Sequence, residues 1–166
     1  MYSRKIEQYF GNERATKAVY GAILLFAYLI SISHKAEVSA SSIALGTFFA
    51  ALAIVIAEVY AELIGKTISH KKKLYRKELR TITKDSFAII SVSIWPTVIF
   101  LISNVGLFSI STAFNLSFAF LLIVVFIFSY WSFSVRGTRK ISAILLSSAV
   151  TLLGLAVIIA KYTLGH

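Results

Sequence analysis

The run FNLSFAFLLIVVFIFSYWSFSV, at 114–135, contains no charged side chain. It is long enough to cross about 30 Å of hydrocarbon at 1.5 Å per residue, which leaves a soluble fold little room. Further apolar segments lie at about 18–33, 41–65, 87–104 and 141–161. A backbone in lipid must satisfy its own hydrogen bonds, so each run reads as a helix. A transmembrane barrel would need period-two alternation in segments of about ten residues, and these runs are continuous. Composition agrees: 58% of residues are hydrophobic and 14% charged, against about 45–50% and about 25% in soluble domains. The expected fold is an all-α integral membrane protein, a bundle of five transmembrane helices forming one domain over 1–166 of a multi-pass cell-membrane protein.

The net charge of +10 is distributed as a topology signal rather than a nucleic-acid footprint. Of the 17 Lys and Arg residues, all but Lys35 and Lys161 fall before the first run, between the second and third, or between the fourth and fifth. The positive-inside rule then places the N-terminus in the cytoplasm and the C-terminus outside. The first seventeen residues are polar, and no small-residue cleavage pattern follows the first apolar run, which reads as a retained span. The chain has no cysteine, which excludes disulfides and thiolate chemistry. No linker or internal repeat is evident.

Short amphipathic cytoplasmic helices are expected beside the bundle. In the tail at 1–12, Tyr2, Ile6, Tyr9 and Phe10 fall on one helical face; Gly11-Asn12 should end that helix, with Asn12 capping the first span. In the basic loop at 66–85, Ile68, Tyr75, Leu79 and Ile82 share a face ringed by cations. Lys71, Lys72, Lys73, Arg76 and Lys77 are the candidates for contact with anionic lipid headgroups, each worth about 1 kcal/mol near the surface.

The second run carries the chemistry-bearing candidates. Gly46, Ala50, Ala57 and Ala61 form a ridge of small side chains, the kind that permits close helix approach in lipid, where hydrophobic drive between helices is slight. That ridge predicts a central second span, packed by its neighbours or by its copy in a homo-oligomer. Glu58 and Glu62 lie beside it, with Cβ atoms within about 6 Å of each other. Measured from Ser41, Glu58 lies about 25 Å and Glu62 about 31 Å along the helix, so Glu62 reads as interfacial, ion-paired to Lys66, and Glu58 as deeper. An intramembrane carboxylate with no cation in its own span either takes up a proton or faces water or a bound cation.

Thr47, Ser93 and Thr97 are the other candidates for an ion or proton path, although hydroxyls in spans also bond back to their own helices. Pro96, the only proline, should kink the third span. His34, His70 and His166 are too scattered for a metal site. No nucleophile motif, phosphate-binding loop or cofactor signature appears, so no catalytic residue and no cofactor is assigned and an enzyme is not expected. Two functions remain open. One is an oligomeric ion channel or proton- or cation-coupled transporter using Glu58. The other is a non-transporting adaptor or assembly subunit that binds anionic lipid or a cytoplasmic partner.

Overall fold

The computed structural model describes residues 2–33, 38–70, 76–135 and 139–164. The chain order is α1 (Tyr2–Ile32), α2 (Ala40–His70), α3 (Arg76–Asn104), α4 (Ile110–Val135) and α5 (Lys140–Leu164). All regular structure among the described residues is helical. Four helices contain stretches long and apolar enough to cross a membrane: Glu13–Ile32, Ala40–Ile68, Glu78–Asn104 and Ile110–Ser134. Among the described residues of α5 the apolar stretch, Lys140–Ala156, is shorter.

The helix ends follow local chemistry. Ser39 Oγ accepts the backbone N–H of Ser42 at 3.3 Å and Ser109 Oγ that of Thr112 at 3.2 Å, so each hydroxyl satisfies an orphan donor in a first turn. After α3 the chain turns through Gly106, whose φ of 87° lies in the left-handed region that glycine tolerates. Gly106 N–H reaches back to Ser103 O at 3.0 Å, closing the end of the helix.

Three expectations are corrected here. The tail does not form a separate helix ended by Gly11-Asn12, because α1 runs unbroken from Tyr2 to Ile32. Nor do the described residues of the basic segment form a helix of their own: 66–70 continue α2 and 76–85 begin α3, with 71–75 outside the described residues. Ile68 and Ile82 therefore belong to different helices, Ile68 exposed and Ile82 buried. Neither segment contains proline, and Gly11 weakens α1 by about 1 kcal/mol without ending it, so the polar ends continue the helices.

The third correction concerns the central helix. It is α1, which packs against α2, α3 and α4 and touches α5, whereas α2 lies at the edge against α3 and α1. The close approach comes from Ala15, Ala18 and Ala22, all buried on one side of α1. Beside them a Cβ on Gly21 would stand 2.7 Å from Ile89 Cγ2 of α3. Small side chains set the packing on both helices, Ala15, Ala18 and Ala22 on α1 and Ala40, Ala44 and Ala51 on α2. Beyond them Leu25, Phe26 and Leu29 meet Phe118 and Leu121 in the apolar core. Phe100 and Phe114 pack edge to face there, with ring centroids 4.9 Å apart.

Candidate functional site

Arg14 and Lys17 sit three residues apart on one side of α1, and Glu58, Glu62 and Lys66 rise at four-residue steps along α2. Asp85 and Ser86 are consecutive and both buried on α3, so their side chains reach different neighbours. These residues converge where three helices meet. From the far end of its own helix, each of Lys17, Glu58 and Asp85 lies about 22–29 Å away at 1.5 Å per residue. They therefore share one level of the bundle, towards the basic ends of the three helices.

Lys17 is the hub. Its side chain is 9% exposed. The ammonium donates to Glu62 Oε2 and to Ser86 Oγ, the latter at 3.1 Å, and stands 3.8 Å from Glu58 Oε1. Two of the three ammonium donors are thus used in hydrogen bonds, and Glu58 is held by charge alone. Glu62 is shared, its other oxygen 2.7 Å from Lys66 Nζ within α2. Next to this cluster Arg14 Nε donates to Asp85 Oδ1 at 2.6 Å. Asp85 is buried while the Arg14 side chain is 56% exposed. Asp85 Oδ2 has no hydrogen-bond partner among the described residues.

Three cations and three carboxylates thus balance one another. Desolvating a charge is expensive, and pairing with good geometry offsets part of that cost. Glu58 is accordingly not a lone intramembrane carboxylate: α1 supplies the cation that its own helix lacks. Its side chain is 25% exposed, so one face of it reaches the surface.

The other predicted residues stand apart from this cluster. Thr47 is fully buried and donates to Ile43 O at 2.7 Å. Ser93 donates to Ile90 O and Thr97 to Ser93 O, each at 2.8 Å, so all three hydroxyls bond to their own helices. Pro96 lies buried inside α3, which continues past it. A Cβ on Gly46 would collide with the Tyr28 hydroxyl of α1, and Ala50 packs against the core, whereas Ala57 and Ala61 are exposed on the outer side of α2. Of the headgroup candidates, Arg76 is exposed at the start of α3 and Lys77 follows it in the same helix. Lys71, Lys72 and Lys73 lie outside the described residues. Among the described residues no three acidic or imidazole side chains converge as a metal site would need.

Sequence reasoning missed Lys17, Arg14, Asp85 and Ser86 as members of the site. In the sequence Lys17 and Arg14 read as topology signals alone, and Asp85 falls in the basic loop. The available signal was the unbalanced Glu58, which requires a cation from another helix at the same depth; Lys17 begins the first apolar run at that level. Comparison with family models, curated proteins and solved structures gives no match, so the functional reading rests on these residues.

Proposed function

We propose that this chain is a non-transporting multi-pass protein of the cell membrane that binds anionic lipid through its basic end, as an adaptor or assembly subunit. One observation carries the reading: the intramembrane carboxylates are matched by cations inside the bundle, so their role is to join α1, α2 and α3. The hydroxyls considered for a path are turned onto their own helices. What remains for an outside partner is the exposed cationic surface, in which Arg14, Arg76, Arg80 and Lys84 all reach solvent. The proposal includes five spans, with α5 as the last, a cytoplasmic N-terminus and an external C-terminus, following the asymmetry of Lys and Arg. The exposed Ala57 and Ala61 on α2 would serve contact with a second copy or a partner span.

Thermal unfolding of the full chain in micelles tests this. Added phosphatidylglycerol should raise the midpoint, by preferential binding to the folded state, and phosphatidylcholine should raise it less. Equal effects of both lipids would refute the reading.

One observation favours a transporting role. Glu58 is the loosest member of the cluster, 3.8 Å from Lys17 and partly exposed, and so the one most open to an entering cation. In that second reading Lys17 and the two glutamates would form the inner end of the path of a proton- or cation-coupled carrier.

A further inference from the structure

The geometry points to the groove between α1, α3 and α4 as a seat for one anionic phospholipid of the inner leaflet. The proposal rests on the lipid-binding reading and on the orientation given above, and it specifies where on the chain the lipid sits.

The groove has a volume of about 910 Å³, within the range of about 300–1,000 Å³ usual for ligand sites. Its floor is shallow-chained: Ala15 and Ala18 of α1 and Ala88 of α3 leave a recess that larger side chains would fill. Its rim is aromatic. Phe87 and Trp95 stand on α3 and Trp131 on α4, each 44–58% exposed and so open sideways to lipid. At the inner end the lining changes to cations, Arg14 and Lys84. Lys84 is exposed and forms no ion pair among the described residues. Asp85 holds Arg14 in place from inside and is itself 2% exposed. Arg14 and Lys84 together exceed Asp85 by one positive charge, the complement of a phosphodiester.

Depth selects the occupant. From Lys84 to Trp95, and from Trp131 back to Phe120, are eleven residues each, about 16 Å of helix. That is about half of a 30 Å hydrocarbon core, one leaflet. The Trp95 and Phe120 rings, with centroids 6.1 Å apart, close the groove at that depth. A cationic mouth over an apolar slot one leaflet deep fits an anionic headgroup with an acyl chain beneath it. It does not fit a soluble anion, which has no use for the slot, or a spanning helix, which would need the full thickness. Basic pockets between spans on the cytoplasmic side are known sites for such headgroups.

The chain contains two tryptophans, and both line the groove. Intrinsic fluorescence therefore reads occupancy without a label. The full chain is reconstituted in phosphatidylcholine containing a small fraction of acyl-brominated phosphatidylglycerol, or the same fraction of brominated phosphatidylcholine. One net cation near the surface should favour the anionic lipid roughly fivefold, seen as stronger quenching. Lys84→Gln, at an exposed position, should abolish that preference, and Ser91→Leu, which projects into the groove, should reduce quenching by the anionic lipid. Equal quenching by the two lipids, or a preference that survives both substitutions, overturns the site. Thermal stabilisation by phosphatidylglycerol without selective quenching would refute the groove but leave the anionic-lipid reading standing. No stabilisation would refute both.

Discussion

Replacing Lys17 with methionine keeps most of the side-chain volume and removes the ammonium at the centre of the cluster. Breaking one side of a buried ion pair commonly costs about 3–5 kcal/mol, because the partner charge is left uncompensated. Two features lower that figure here. Glu62 keeps Lys66 at 2.7 Å, and Glu58, which loses its cation, is 25% exposed and can turn towards water. The hydroxyl of Ser86 also loses its donor, a further cost of about 1 kcal/mol. The expected loss is therefore about 2–3 kcal/mol, read from reversible denaturant unfolding in mixed micelles. A double-mutant cycle isolates the pair: with Glu62→Gln already present, Lys17→Met should cost at least about 1 kcal/mol less, since contacting charges couple by about 0.5–3 kcal/mol. A Lys17→Met loss below about 0.5 kcal/mol, the size of an ordinary surface substitution, would refute the pairing.

The Arg14–Asp85 pair should respond asymmetrically. Arg14→Gln strands a buried carboxylate and should cost about 3–5 kcal/mol in the same unfolding assay. Asp85→Asn leaves Arg14 free to solvate and should cost about 1 kcal/mol or less; equal costs would contradict the burial difference. Gly21→Leu overpacks the α1–α3 contact and should lose at least about 1–3 kcal/mol, while Ala57→Leu should leave the monomer's stability unchanged. Orientation is accessible by single-cysteine labelling, since the chain has no native cysteine. A cysteine at Val105 should react with an impermeant reagent in intact cells and one at Arg80 should be protected; the reverse pattern would invert the topology.

The sequence made the membrane character legible because hydrophobic runs of this length have few alternative explanations. The helical ends of α2 and α3 were harder to see: a change from apolar to basic side chains marks the edge of the membrane, not the end of a helix. Of the small-residue pattern, Gly46 lies against Tyr28, where an added Cβ would collide with the hydroxyl. The pattern overran at Ala57 and Ala61, because alanine is equally at home facing lipid and nothing in one helix says which side a neighbour takes. Glu58 was recognised as costly to bury. Its partner was not, because pairing between α1 and α2 depends on which helices touch and at what level. Periodicity within a run carries neither. Asp85 is the last residue of the segment read as a basic loop, and its burial follows from α3 being continuous through it.

The central claim is that the intramembrane carboxylates serve to join helices rather than to carry ions. The most direct measurement is proton and monovalent-cation flux in liposomes containing the purified chain, with and without Glu58→Gln. The account predicts wild-type flux no greater than that of protein-free vesicles across pH 5–8, and the same for the variant. A wild-type flux that Glu58→Gln abolishes, in a variant that still folds, would contradict it and establish Glu58 as part of a transport path.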